Sequence, residues 1–265
     1  MTEPANVEQF WRQPPWAGAK PKYRLGLSPI PLENWFTQPI TSAVLKHKQQ
    51  MLNQQYSNVV AVSEEHGGLG AQRELSPFLT AADEFTDPIA NMALSVDDDL
   101  CIMQATGEQR LVAGCVCSPS YWNLQSKIGK PLRHIHGPVI SMNEKIGDPI
   151  ERFINRAPLL QPFERINWFI HGDSQRWHPV EEPLPQTPVA TWHIRSERET
   201  LCRYSDEHLL FTINTRFQPL AAIVDYPKAQ ADLRATLMNL DTDEVDYFGG
   251  PDKCEMLIGY LESLL

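Results

Sequence analysis

Two histidines separated by a single residue stand in the segment KIGKPLRHIHGPV, residues 127–139, directly before a Gly-Pro pair. Imidazole nitrogens bind metal ions, and in an extended chain His134 and His136 lie on the same face. One of them can therefore bind a metal ion or a haem iron while the other orients that ligand from the second coordination shell. Solvated histidines on a loop are the ordinary alternative, and the pair alone does not decide between the two interpretations.

The neighbours of the histidine pair narrow the chemistry only in part. An H-x-H pair also occurs in the metal motif of cupin barrels, but Glu144 and the glycines around the pair do not have the cupin spacing. Lys127 and Lys130 precede the histidines, with Trp122 further upstream. Their ammonium groups suit the propionates of a haem or the phosphates of a ligand, and a solvated lysine pair on a turn is an equal alternative.

A second candidate is the charge run in WHIRSERETLCRY, residues 192–204. If this segment is a strand, Arg195, Glu197 and Glu199 lie on one side, while Arg198 lies on the other. Buried charges persist only where they are paired or meet a ligand. A solvent-facing ladder of cross-strand ion pairs explains the run equally well.

The strand predicted for FERINWFIHGD, residues 163–173, carries a similar polar face. Arg165, Asn167 and His171 alternate with the apolar Ile166 and Trp168. One face of this strand is therefore unusually polar for a core strand.

The elements that position these residues follow from periodicity. A period of two predicts a hairpin over residues 99–117 with its turn at residues 106–108, and a longer strand pair over residues 190–204 and 208–223. Apolar residues at helical spacing predict helices, which we place at residues 42–56, 71–85, 149–156, 228–240 and 252–265. We expect an α+β fold with about five antiparallel strands between N- and C-terminal helices. The proline- and tryptophan-rich residues 1–40 predict an arm packed on a single domain formed by residues 41–265.

Composition excludes several function classes. The 265 residues carry a formal net charge of −10, which argues against nucleic-acid binding and against an anionic membrane surface. The sequence has no basic and apolar leader at Met1 and no apolar run of about 18 residues, so we expect a cytoplasmic protein. The five scattered cysteines fit reduced thiols rather than an iron–sulfur or zinc motif.

Several segments together resemble the haem-dependent oxidative N-demethylase alpha-subunit family. They occur in the family's order, and they are YRLGLSPIPLENWF at 23–36, PSYWNLQSKIGKPLRHIHGPV at 119–139, RINW at 165–168, RSERETLCR at 195–203 and LLFTINT at 209–215. The resemblance implies a PAS-like antiparallel sheet that holds a non-covalent haem b. It also implies oxidative removal of a methyl group from a small, dimethylamine-like alkylamine, which yields formaldehyde and a primary amine. The partners implied are the amine, O₂, and a flavin and iron–sulfur reductase that delivers electrons.

The resemblance also assigns residues. His136 matches the family position that we expect to bind the iron, with His134 as the second choice. Four cations fall on matching positions, either as partners of the haem propionates or as members of scaffold ion pairs: Lys127, Lys130, Arg165 and Arg198. Trp168, in the matching RINW segment, is a further cofactor-binding candidate. Residue chemistry suggests that Asn167 and Glu197 point to the distal, catalytic side, where a carboxylate suits a protonated amine. The chain departs from the family pattern at Ile140, where a proline is frequent, and at Glu199, where a glutamine is frequent.

Two other interpretations compete with the hypothesis that the protein is an enzyme. Because PAS-like folds bind haem for sensing as well as for catalysis, a non-catalytic haem sensor or storage protein fits the same residues. The second alternative is a structural or interaction subunit that has lost the haem.

Overall fold

The computed structural model describes residues 4–22, 24–79, 83–135 and 146–264. In these residues, seven strands form one open, antiparallel sheet in the order β1-β5-β6-β7-β3-β4-β2. The strands are β1 Ser28–Pro29, β2 Val60–Val62, β3 Asp99–Gln104, β4 Leu111–Cys115, β5 Phe163–His171, β6 His193–Arg203 and β7 His208–Pro219.

Ten α-helices in the described ranges surround the sheet. They are α1 Pro4–Arg12, α2 Ser42–Gln54, α3 Tyr56–Val59, α4 Gly68–Leu75, α5 Pro88–Ala93, α6 Leu132–Ile135, α7 Asp148–Arg156, α8 Pro227–Met238, α9 Thr242–Phe248 and α10 Pro251–Ser263. None of the described helices is both long and apolar enough to cross a membrane.

The predicted α+β class is confirmed, but the predicted number of strands is wrong. A five-stranded PAS-like sheet is not supported, because two short strands extend the sheet at its edges. β1 pairs with Phe163 and Glu164 of β5, and β2 pairs with β4. Strands of two and three residues are too short to show an alternating pattern, so only their pairing partners reveal them.

The longer elements follow the predicted pattern. The hairpin of β3 and β4 is present, with a register shift between Ile102 and Met103. β6 and β7 form the longest pair, from His193 opposite Pro219 to Arg203 opposite Leu209. The helices predicted at residues 42–56 and 149–156 are α2 and α7. The helix predicted for residues 71–85 is shorter, because α4 ends at Leu75 and a 3₁₀ turn with Pro77 follows.

Alternation along the central strands creates two sheet faces with different coverings. We call the face that carries Asn167, Glu197, Leu201 and Phe211 the site face. On the opposite face, Leu100, Ile102, Cys202 and Leu210 form the largest apolar core with residues of α2, α4 and α5.

The site face has its own apolar cluster at one end. Cys101, Met103, Leu201 and Leu209 pack there with residues of α6 and α7. Arg133 of α6 pairs with Asp148 and Glu151 of α7, so an ion-pair network connects the two helices.

The N-terminal segment contributes to a third core at the outer end of the sheet. Trp11 and Trp16 are buried against Trp168 together with apolar residues of α8 and α10. The Trp16 Nε1 donates a hydrogen bond of 2.8 Å to the carbonyl of Ala229. The segment is thus packed in place, while the division into an arm (1–40) and a domain (41–265) stays a prediction.

Candidate functional site

The site face is polar where β5 and β6 pair. In the register of this pair, Arg165 lies opposite Glu199 and Asn167 lies opposite Glu197. Directly opposed residues of antiparallel strands share a face and bring their side chains into contact. The strand pairing therefore brings together three of the predicted site residues, Arg165, Asn167 and Glu197, beside Glu199.

Burial decides between the two interpretations of the charge run. Arg195 is 0%, Glu197 6% and Glu199 7% exposed, so this is not a solvent-facing ladder. The Arg195 Nε lies 2.8 Å from a carboxylate oxygen of Glu197, and the Arg165 Nε lies 2.9 Å from one of Glu199. Each buried charge thus has a partner, as burial in a medium of low dielectric constant requires.

Arg195 is the anchor of this group. Besides Glu197, its guanidinium donates to the carbonyl of Ser118 at 2.5 Å and to the Thr215 Oγ1 at 3.1 Å. It also donates to the carbonyl of Arg176 at 3.4 Å. Three separate segments are therefore attached to one buried cation, which holds the Glu197 carboxylate in a fixed position.

Glu199 has a shifted pKa in this cluster. Burial raises the pKa of Glu199 above the usual value of a glutamate, and the neighbouring Arg165 opposes the shift only in part. A raised pKa makes the ionised carboxyl a stronger base, which is a common feature of functional sites.

Lys22, from the segment before β1, lies against the same group. Its ammonium donates to the carbonyl of Trp168 at 2.6 Å and to the Asn167 Oδ1 at 3.4 Å. Asn167 in turn donates to Glu197 at 3.3 Å. Burial lowers the pKa of Lys22 to about 7, and Arg165 adds to this shift while Glu197 and Glu199 oppose it.

Beyond Glu199 the site face becomes apolar. Leu201 and Phe211 are opposite each other on β6 and β7. Phe153 of α7 packs edge-on against Phe163, with 4.8 Å between the two ring centres. Several apolar side chains around this cluster are only half-buried, namely Trp122, Ile128, Ile135, Ile150, Phe153 and Phe211. This surface lies where α6 and α7 approach the sheet.

The predicted residues of the KIGKPLRHI segment lie at the margin of that apolar surface. The Lys127 ammonium donates to the carbonyl of Ile135 at 3.3 Å, and partial burial lowers its pKa. Lys130 and His134 are exposed. His136, the predicted iron ligand, lies outside the described residues.

Two predicted cofactor-binding residues lie on the other side of the sheet. Arg198 pairs with Glu164 at 2.8 Å and donates to the carbonyl of Asn34 at 2.6 Å. Trp168 is buried against Trp16 and Phe248. Because neighbours along a strand point to opposite faces, these two side chains lie on the face opposite to Glu197. Trp168 approaches the polar group only through Lys22, whose nitrogen lies 5.1 Å from the centre of its ring.

A histidine pair next to the end of β5 is not among the predicted site residues. His171 and His178 are buried, with ring centres 4.7 Å apart, and Tyr121 stacks on His171 at 4.9 Å. Burial, aided by Arg195, lowers the pKa of His171 to about 2, so this imidazole is neutral. Among the described residues, no group of three or more histidine, cysteine, aspartate or glutamate side chains is placed to hold a metal ion.

A cleft of about 560 Å³ lies between α2 and the segment that follows β5. His47, Met51 and Trp177 line it together with Arg176. The Arg176 guanidinium donates to the carbonyl of Thr215 at 2.9 Å, and burial lowers its pKa. Arg176 therefore connects this cleft with the buried Arg195.

Haem b requires an apolar slot, a ligand for the iron and cations near its propionates. The half-buried apolar side chains between α6, α7 and the site face fit the first requirement. Lys127, at the margin of this surface, fits the last. These two features of the described residues fit a haem at the apolar end of the site face.

Comparison with known proteins identifies a family for the chain. None of the curated proteins matches the chain. A family model described as haem-dependent oxidative N-demethylase, alpha subunit-like, matches residues 37–255. The match includes every residue that we predict for the site, and it covers most of the chain. The chain therefore belongs to the haem-dependent oxidative N-demethylase alpha-subunit-like family.

Proposed function

We propose that this protein is the haem-binding subunit of an oxidative N-demethylase that removes a methyl group from a small alkylamine. The observation that carries the proposal is the family match over residues 37–255. The products are formaldehyde and the demethylated amine, and the co-substrates are O₂ and electrons from a separate flavin and iron–sulfur reductase. The cofactor in this proposal is a non-covalent haem b.

The haem site of the proposal lies at the apolar end of the site face. His136 would bind the iron, and the apolar side chains of α6, α7 and β7 would enclose the porphyrin. Lys127 would pair with a propionate. When bound, the haem supplies the activation of O₂ and the oxidation of the methyl carbon, while the protein supplies binding, orientation and electrostatics.

The amine site of the proposal lies at the polar end. The Glu197 carboxylate, held by Arg195, attracts a protonated alkylamine and fixes its orientation. Asn167, which donates to the Glu197 carboxylate, keeps that oxygen in place. These two residues orient the methyl group toward the apolar end of the face.

Glu199 has a different role from Glu197. Because burial raises its pKa, Glu199 is better suited to accept a proton from the bound ammonium than an exposed carboxylate is. Loss of that proton uncovers the nitrogen lone pair of the amine. The Arg165 guanidinium, 2.9 Å from Glu199, opposes the rise in the pKa and so favours the ionised form, which is the base.

The first test is optical. The chain, expressed with a haem precursor, should purify with a Soret band that shifts on reduction with dithionite and again on addition of CO. His136→Ala should lose most of this haem, while the matched variant His134→Ala, at an exposed position, should retain it. Equal haem content in His136→Ala and the wild type would contradict the iron-ligand assignment.

The second test is catalytic. With a competent reductase, dimethylamine and O₂, the loaded protein should release formaldehyde, and Glu197→Gln should slow this release about 100-fold or more if the carboxylate orients the amine. A protein that binds haem and CO but releases no formaldehyde from any small methylamine would instead be a haem sensor or storage protein.

A further inference from the structure

The ammonium of Lys22 sits in a cage of aromatic rings. Its nitrogen lies 3.9 Å from the ring centre of Phe169, 5.1 Å from that of Trp168 and 5.9 Å from that of Phe248. Cations bind to aromatic faces at these distances, and aromatic cages are a known means of recognising alkylated ammonium groups. We call these three rings, with Asn167 and Glu197, the ammonium cage.

Hydrogen-bond acceptors complete the cage. The carbonyl of Trp168, 2.6 Å from the Lys22 nitrogen, accepts one N–H, and the Asn167 Oδ1 at 3.4 Å accepts another. In the register of the described strands, β1 pairs with Phe163 and Glu164 at the start of β5. Further along the same edge of β5, the carbonyl of Trp168 accepts its hydrogen bond from the side chain of Lys22. Lys22 itself is only 7% exposed, which means that the cage surrounds the ammonium.

The cage and its occupant come from different parts of the chain. Every cage residue lies between 37 and 255, the range that matches the family, whereas Lys22 precedes it. The segment before β1 thus inserts an alkylammonium of its own into a receptor built by the shared fold.

The cage and the apolar end of the site face lie at different points along β5 and β6. Glu197 and Leu201 are on the same face of β6, so their Cα atoms are about 13 Å apart at the usual rise of a strand. A ligand beside Glu197 is therefore about 13 Å along the sheet from Leu201, at the apolar end where the haem site is proposed.

We propose that the ammonium cage is a binding site for small alkylamines and that Lys22 competes with them for it. Because burial lowers the pKa of Lys22 to about 7, the cage holds an amine in both protonation states near neutral pH. Its relevance to catalysis rests on the proposed function, whereas the binding itself does not. An alkylamine that enters must displace Lys22, which makes the segment around Lys22 an autoinhibitory contact.

The test measures binding of dimethylammonium chloride to the full-length protein by isothermal titration calorimetry. Lys22→Ala should bind it at least 10-fold more tightly than the wild type, because the internal competitor is gone. Lys20→Ala, which removes an exposed lysine from the same segment, should bind like the wild type. Equal affinity in Lys22→Ala and the wild type would overturn the proposal.

Two further measurements separate an ammonium site from a simple cavity. Propan-2-ol should not bind to Lys22→Ala, and equal binding of the alcohol and isopropylamine would refute recognition of the amine nitrogen. Adding Phe169→Leu to Lys22→Ala should weaken dimethylammonium binding about 2- to 30-fold, the range expected for loss of one close cation–π contact. No weakening would refute the cage.

The wild-type protein provides a test that does not depend on a cavity variant. Acetylation of Lys22 by acetic anhydride, followed by mass spectrometry with Lys20 as the internal reference, should accelerate when dimethylammonium displaces the side chain. An unchanged ratio at saturating dimethylammonium would contradict the competition. Because none of these readouts uses haem or formaldehyde, a failure here is distinguishable from a failure of the proposed demethylation.

Discussion

The buried ammonium of Lys22 makes a quantitative prediction about stability and pH. Its pKa is lowered from the ordinary value of 10.5 to about 7, with burial as the main cause and Arg165 and Lys253 as further contributors. Between these two pH values the unfolded chain holds a proton on Lys22 that the folded chain does not. The free energy of unfolding therefore falls as the pH decreases from about 10.5 to about 7, and the loss is complete below that.

The magnitude follows from the size of the shift. At about 1.4 kcal/mol per pH unit, a shift from 10.5 to about 7 corresponds to a total penalty of about 5 kcal/mol at low pH. About 2 kcal/mol of this arises between pH 9 and pH 7. Lys22→Met keeps the length and apolar contacts of the side chain but removes the titration. Relative to the wild type, Lys22→Met should gain about 2 kcal/mol in unfolding free energy from pH 9 to pH 7.

The assay is urea denaturation of both proteins at pH 9 and pH 7, followed by tryptophan fluorescence. Groups that titrate in both proteins cancel in the difference, apart from a small change at Lys253, whose charge acts on Lys22. Lys20→Met, at an exposed position, should show no such pH dependence. If the advantage of Lys22→Met changed by less than about 0.5 kcal/mol between the two pH values, the assigned pKa would be wrong.

Three other substitutions test the buried charges. Lys253→Met should gain stability over the wild type as the pH falls from about 10.5 to about 8 and no further, because burial lowers the pKa of Lys253 to about 8; urea titrations at pH 10, 8 and 6 would check this. Lys48→Met should lower the free energy of unfolding by about 3 to 5 kcal/mol at pH 7. The reason is that the Lys48 ammonium donates to three carbonyls at 2.5–3.0 Å and lies 3.8 Å from Asp99. A calorimetric melting temperature within 2 °C of the wild type would contradict this. Arg195→Met should cost a similar amount, about 3 to 5 kcal/mol, since it leaves Glu197 buried without its partner; adding Glu197→Gln should restore part of the loss, and a double variant no more stable than the single one would argue against the pair.

The long strands illustrate what can be predicted from the sequence. The period of two over β3, β4, β6 and β7 predicts the hairpins, because a half-buried strand must alternate its side chains between core and solvent or between two coverings. The same alternation places Glu197 and Glu199 on one face and Arg198 on the other. The polar half of the candidate site is thus visible in the sequence as a charge run with strand spacing.

The partners of those charges were not visible. Whether the run was a solvent ladder or a buried network depended on what covers the site face, and the sequence pattern was the same in both cases. The structure places Arg195 at 0% exposure with acceptors from Ser118, Arg176 and Thr215, which are distant in sequence. Long-range contacts of this kind depend on the packing of the sheet against its loops.

Lys22 and the edge strands make the same point. No periodicity or motif marks Lys22, because its environment consists of rings and carbonyls contributed by residues about 145 or more positions away. β1 and β2 are strands only because β5 and β4 offer them unpaired edges. The sequence by itself determined the α+β class, the central hairpins, the alternation of charges and the family. Only the tertiary structure decided which charges are buried, which ions pair and what occupies the ammonium cage, because those outcomes depend on desolvation and on contacts between segments far apart in the chain.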